Sequence, residues 1–191
     1  MTRIAIIRHG TTSWNKAGRM QGNSDIPLDE EGMEQARRLS IRLAEEKWDL
    51  LYSSHLIRAK QTATFIAETT GLNGPLLDER LGEAGGGLLE GTTEEERIVK
   101  WGKDWRQLDL GMESNQQVVT RGMSFIKELT SGHPGKHIVL VSHGSFIRQL
   151  VAHLVPDLSI PPAMKNTSVT TLLYHNNNWA CEIFNCVDHL E

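Results

Sequence analysis

The stretch Ile4-Ala5-Ile6-Ile7-Arg8-His9-Gly10 decides how the rest of the chain is read. It is a short apolar run, mostly β-branched, cut off by an arginine, a histidine and a glycine. A second run of the same design lies far downstream at Ile138-Val139-Leu140-Val141-Ser142-His143-Gly144. Apolar runs of this length that do not alternate mark strands covered on both faces, as in the parallel sheet of an α/β protein. If both strands run the same way, both histidines emerge at the carboxyl edge, where open α/β sheets place their ligands. Two histidines and an arginine brought to one point suit an anion.

The chain has 191 residues, enough for one domain with a sizeable core, and 1–191 is read as that domain. A hydrophobic share of 39% and a charged share of 23% are those of an ordinary globular protein rather than a disordered tail. The formal charge of −4 argues against a general nucleic-acid binder, which needs a basic excess. No apolar stretch approaches the ~18 residues of a membrane span, and the N-terminus enters a strand directly rather than resembling a signal peptide. Cys181 and Cys186 are the only cysteines; five apart on an expected strand, they point to opposite faces and make a poor disulfide pair. Reduced thiols and a cytoplasmic protein are expected, with no membrane or nucleic-acid partner.

After the first His-Gly turn, a polar loop runs to Pro27-Leu28, and Asp29 is placed to cap a helix reaching about Glu46. Glu30 and Glu31 suit the first turn of that helix, and Ala36, Leu39 and Leu43 share its buried face. A strand is expected over Trp48 to Ser53, then a helix from about Leu56 to Thr69 stopped by Gly71. Residues 82–111 read as an inserted cap segment with a short helix over the sheet edge. It carries Gly85-Gly86-Gly87, the acidic cluster Glu94 to Glu96, and Trp101 and Trp105. Another helix runs from about Ser114 to Ser131 and leads to the second histidine strand. Phe146, Ile147, Leu150, Val151 and Leu154 then mark a buried helix closed by Pro156. Two final runs flank Asn176-Asn177-Asn178, the signal of a hairpin. The expected fold is a three-layer α/β/α sandwich with a mostly parallel central sheet and one antiparallel edge strand.

A neutral imidazole is a competent nucleophile near neutral pH, provided its other ring nitrogen is held and positive charge offsets the phosphoryl oxygens. Arg8 adjoins His9, and His143 occupies the equivalent place on its own strand. Ser53-Ser54-His55-Leu56-Ile57-Arg58 sets a further arginine about one turn into the following helix, whose N-terminus would add N–H groups to the same edge. A leaving alkoxide also needs a proton donor. Glu83 and Glu90 are the candidates, and Glu83, after Leu81-Gly82, is better placed.

From Arg8 to Asn15 the sequence Arg-His-Gly-Thr-Thr-Ser-Trp-Asn resembles the signature of the histidine phosphatase superfamily, the phosphoglycerate-mutase-like fold. The resemblance continues through Arg19-Met20-Gln21-Gly22, Pro27-Leu28, Ser53-Ser54 with Arg58-Ala59, and Gln61-Thr62-Ala63. It extends to Glu79-Arg80-Leu81 with Glu83, Glu90-Gly91, Glu113-Ser114 and Ser142-His143-Gly144, in the family's order over most of the chain. It implies His9 as the nucleophile that becomes phosphohistidine, with Arg8, Arg58 and His143 holding the phosphoryl group. It implies Glu83 as proton donor and then base, with Asn15, Gln21, Gly22 and Gly144 in the phosphate pocket. No metal and no cofactor are implied, and the expected partner is a small phosphorylated substrate.

The chain departs from the pattern in three places. Gly85, Gly86 and Leu89 stand where the family often has an aspartate, an aromatic and a tryptophan, so the segment bearing the acid is expected to be flexible. His55 replaces a common aspartate. The arginine pair that grips the carboxylate in true mutases has no counterpart, since Arg97 and Arg106 stand apart in sequence. Gln21-Gly22 is the version seen in phosphatase members, so hydrolysis is expected.

Three other readings stand beside a metal-independent phosphomonoesterase. They are a cofactor-dependent phosphoglycerate mutase, a metallohydrolase with His9, His143 and Glu83 as ligands, and a catalytically weak phosphate-binding member of the fold. Trp101 and Trp105 suit either a pocket wall or packing of the inserted helix, and Glu94 to Glu96 a solvated helix face. His55, His133, His137, His153, His175 and His189 read as surface or packing residues. Either a monomer or a homodimer is compatible with the sequence.

Overall fold

The opening apolar run forms β1 (Thr2–Arg8) and the second histidine run forms β4 (His137–Ser142). They pair in parallel and in register, from Arg3 opposite His137 to Arg8 opposite Ser142, so the next residues on each strand are the two histidines. A computed structural model describes residues 1–160 and 163–191. The other strands are β2 (Leu50–Ser53), β3 (Leu76–Leu77), β5 (Val169–His175) and β6 (Asn178–Cys186), in one sheet ordered β3-β2-β4-β1-β5-β6.

β3, β2, β4 and β1 are mutually parallel, whereas β5 runs against β1 and β6 runs back against β5. The strand expected to be antiparallel is therefore β5, and it lies one place in from the edge. The edge itself, β6, points the same way as β1. The hairpin explains this, because a tight turn forces its two strands to oppose each other. Asn176 and Asn177 adopt φ of 50° and 62°, the left-handed pair that a type I′ hairpin turn requires.

Alternate residues of the central strands feed opposite faces of the sheet. Ile4, Ile6, Ile138 and Leu140 pack on α5 (Asn115–Gly132) and α6 (Gly144–Leu154), against Phe125, Ile126, Phe146, Ile147 and Leu150. Ala5, Ile7, Val139 and Val141 pack on α2 (Glu30–Leu43) and α3 (Ile57–Thr70), against Leu39, Leu43, Ala59, Ala63 and Ile66. This is the three-layer α/β/α sandwich, with the short helix α1 (Ser13–Lys16) in the loop that follows β1. Asp29 caps α2 through the N–H of Gly32, as its position before two glutamates suggests, and Gly71 ends α3 with φ of 73°. Cys181 and Cys186 are free thiols on β6. Cys181 packs into the core on the α5–α6 side, while Cys186 accepts a hydrogen bond from Arg42 of α2, so they lie on opposite faces.

A 3₁₀ turn at residues 79–81 leads into the segment 82–111, which holds 3₁₀ turns at 87–89 and 105–107 and the helix α4 (Glu94–Trp101). Leu89, Trp105 and Leu110 bury one another with Met20 and Trp101, so the tryptophans serve packing. The acidic cluster is more engaged than a solvated face would be. Glu96 closes a capping box with Thr93 and pairs with Arg19, and Glu94 accepts from the Trp105 indole and pairs with Arg106. Among the described residues no helix is long and apolar enough to cross a membrane.

Leu140 is fully buried between β1, β2 and the α5–α6 layer. Leu140→Ala should lower the unfolding free energy by about 2–5 kcal/mol, read from denaturant titration.

Candidate active site

His9 and His143 emerge side by side at the carboxyl edge, their ring centroids 5.1 Å apart. The His9 N–H donates to Ser142 O at 3.0 Å, so the sheet ladder continues past the last strand residue and holds the pair together. His9 is 2% exposed. Its Nδ1 lies 2.7 Å from Gly10 O, and because a carbonyl can only accept, Nδ1 carries the proton. That leaves Nε2, with its lone pair, for the cavity that His9 lines.

The charges around the rings keep them neutral. Burial first, then Arg8 and Arg58, push His9 well below the 6.5 of a free imidazole, against a smaller upward pull from the Gly10 hydrogen bond. Burial and the same two arginines lower His143 as well. Arg58 is fully buried; desolvation pulls its pKa down to about 10, still cationic at neutral pH, while Glu83 pulls the other way. Its Nη1 and Nη2 donate to Ser24 O and Gly22 O at 2.7 and 2.8 Å, and its Nε is buried without a partner. Arg8 donates through Nη1 to Met164 O, and its Nε is likewise buried and unpartnered. Two guanidiniums with orphaned donors beside an imidazole nitrogen with a free lone pair are arranged to receive an anion.

His143 is fully buried and, contrary to the expectation of direct lining, does not wall the cavity of about 390 Å³ that His9 lines. Ser54 Oγ accepts from the Leu56 N–H at 3.3 Å and stands 2.8 Å from His143 Nε2. Ser54 can serve either tautomer of that ring, and His143 Nδ1 is buried with no partner among the described residues. Gly144 is also absent from that wall. It packs under Arg8, where a Cβ would sit 3.3 Å from Nε, and borders a side cavity with Arg8 and Glu83.

Asn15 and Gln21 line the cavity with their amide nitrogens uncommitted. Asn15 Oδ1 accepts from Thr12 N–H at 3.1 Å and Gln21 Oε1 from the Thr12 hydroxyl at 3.0 Å, so each amide offers NH₂ to a ligand. Gly22 closes the same turn at φ of 51°, where a Cβ would collide with the Glu90 carboxylate. Glu90, one of the two candidate acids, is occupied as a brace. It accepts from Asn23 N, Ser24 Oγ and Gly86 N at 2.8 to 3.0 Å and so fixes the loop whose carbonyls hold Arg58.

Glu83 lines the cavity and is gripped by three N–H groups: Ala84 at 2.8 Å, Phe146 at 3.0 Å and Ser145 at 3.2 Å. The last two belong to the first turn of α6, so Glu83 acts as a remote cap for that helix. Asp25 does the same for α3, taking the Ile57 N–H at 2.6 Å. The α3 N-terminus was expected to contribute free donors to the anion site; a carboxylate already fills that role, and the positive charge comes from side chains. The glycine run is not slack either. Gly87 adopts φ of 53°, and a Cβ there would collide with Leu110 O, so close backbone contact forces glycine.

Arg148, Gln149, Ser145, Asn115 and Glu113 also line the cavity and were missed in the sequence. A signal existed: Ser145, Arg148 and Gln149 lie at i, i+3 and i+4, a polar stripe on an otherwise apolar helix. Arg97 and Arg106 do come together, stacked on Trp105 at 5.3 and 4.3 Å and paired with Glu94, but neither lines the cavity. Of the remaining histidines, His55 borders the adjoining cleft and His189 lies between Arg42 and Thr167. Among the described residues, no three His, Cys, Asp or Glu side chains gather as a metal site.

The family model of the histidine phosphatase superfamily (branch 1) matches residues 4–187. The chain belongs to this superfamily. An Arabidopsis thaliana relative named metal-independent phosphoserine phosphatase is 32% identical over 200 residues, covering 100% of this chain and 84% of its own. Phosphoglycerate mutase-like protein 4 of the same plant is 32% identical over 199 residues, covering 98% of this chain and 86% of its own. A mycobacterial glucosyl-3-phosphoglycerate phosphatase, solved with VO3, superposes with a TM-score of 0.86 at 32% identity, covering 96% of this chain and 98% of that one.

The lowered values of His9 and His143 fix a sign. Below about pH 6.5 the unfolded chain's histidines bind protons that the folded pair refuses, so stability decreases as the pH is lowered through that range. Ring-nitrogen NMR of this histidine phosphatase should show both rings neutral at pH 6.5. A midpoint at or above that value for His9 contradicts the electrostatics.

Proposed function

We propose that this chain hydrolyses small phosphorylated metabolites without a metal, through a phosphohistidine formed on His9 Nε2. It is a phosphoric monoester hydrolase of the histidine phosphatase superfamily. The reading of His9 rests on one observation: a neutral imidazole, with Nδ1 tied to Gly10 O, is set among buried guanidiniums in the wall of a cavity.

In the first half-reaction the Nε2 lone pair forms the P–N bond as the P–O ester bond breaks. Glu83 gives its proton to the departing alkoxide oxygen. In the second, Glu83 removes a proton from water, the hydroxide forms a new P–O bond, the P–N bond breaks and inorganic phosphate leaves. Arg8 and Arg58 stabilise the equatorial oxygens, the amides of Asn15 and Gln21 add donors, and His143 packs beside the His9 ring from outside the cavity wall. Ser145, Arg148, Gln149, Asn115 and Glu113 line the same cavity, so the leaving group it admits is polar and small enough for about 390 Å³.

Phosphoglycerate mutation is less favoured, since Arg97 and Arg106 are spent on Glu94 and Trp105 outside the cavity. Two free thiols on opposite faces of β6 support a reducing compartment, and we place the protein in the cytoplasm.

The test is turnover of a chromogenic phosphomonoester in chelator, with acid-labile, alkali-stable label trapped on the protein. His9→Ala should lose the label and several orders of magnitude in kcat/KM. Arg58→Ala should cost about 10²–10³. Full turnover by His9→Ala overturns the proposal.

A further inference from the structure

Glu83 is held by its backbone as well as by its carboxylate. Arg121, on the second turn of α5, donates through Nη1 to Arg80 O at 2.7 Å and Gly82 O at 2.8 Å, and through Nη2 to Glu83 O at 3.0 Å. Its Nε and remaining Nη2 proton go to Glu113, at 2.8 and 3.0 Å. All five guanidinium protons are thus committed, a pattern that only arginine's planar fork can satisfy. Glu113 also accepts the Gly85 N–H at 3.1 Å, and its own N–H donates to Gly85 O at 2.9 Å. The segment from Arg80 to Gly85, part of it outside any regular element, is therefore clamped by a single ion pair.

The same guanidinium lies over the Phe146 ring, 5.1 Å from its centroid, and the Phe146 N–H is one of the donors to the Glu83 carboxylate. Backbone and side chain of Glu83 are thereby referenced to one group. Arg121 does not line the reactive cavity; it borders the open cleft beside it, so it does not touch the phosphoryl group.

We propose that Arg121, with Glu113, is the positioning pair that sets the Glu83 carboxyl against the leaving oxygen. This rests on the reading of Glu83 as proton donor. A shift of about 1 Å in such a group costs on the order of 10²-fold, and only where the leaving oxygen needs its proton.

The experiment measures kcat/KM, which covers transfer to His9 but not dephosphorylation, for glycerol phosphate (a poor, alkoxide leaving group) and p-nitrophenyl phosphate (a good one). Arg121→Met keeps the stem over Phe146 and removes the fork. It should lose about 10²-fold on glycerol phosphate and far less on p-nitrophenyl phosphate, with Glu113→Gln showing the same asymmetry more weakly. Equal losses on both esters would mean a purely structural brace and overturn the proposal; if Arg121→Met does not fold, Glu113→Gln decides. Glu83→Gln separates the layers. If it shows the asymmetry and Arg121→Met does not, only this proposal fails; if Glu83→Gln shows none, the assignment of the acid fails first.

Discussion

The site depends on the in-register parallel pairing of β1 with β4. Because Arg8 stands opposite Ser142, the next residues on the two strands are His9 and His143, and the ladder bond from His9 N to Ser142 O locks them there. A slip of one residue would turn every side chain of one strand to the other face, exchanging the two halves of the core as well as displacing a ring. The geometry of the candidate site is thus protected by the same apolar packing that stabilises the sheet.

Burial then does the electrostatic work. Burial of His9 and His143 is the largest cause that lowers them, and Arg8 and Arg58 add to it, so the rings stay unprotonated at neutral pH. Buried guanidiniums are costly unless partnered, and here backbone carbonyls of Gly22, Ser24 and Met164 partner them in part. The nitrogens left over, Arg8 Nε and Arg58 Nε, are the unsatisfied donors of a site built for an anion.

Carboxylates organise the loops around this centre. Glu83 and Asp25 cap helices from a distance, Glu90 ties the Gly22–Ser24 turn to Gly86, and Glu113 ties Gly85 to Arg121. Each bridges segments far apart in the chain and satisfies N–H groups that a helix end or an irregular loop leaves open. The glycine run, which reads as slack, is closely packed because these carboxylates and Leu110 O approach its backbone.

Apolar runs, their length and the His-Gly stops were enough to determine the parallel core, the α/β layering and the meeting of Arg8, His9 and His143 at one sheet edge, while Arg58 and Glu83 were picked out as candidates by their local motifs. These are local signals, carried by residues adjacent in the chain or by period along one element. The place of β5 inside the edge, the withdrawal of His143 and Gly144 from the cavity wall, and the use of Glu90 and Asp25 as braces were decided only on folding. So were the roles of Arg148 and Arg121, although the polar stripe on α6 hinted at the first. The reason is range: an exposed N–H or carbonyl takes whichever partner the tertiary structure brings within about 3 Å, and sequence spacing holds no record of that meeting.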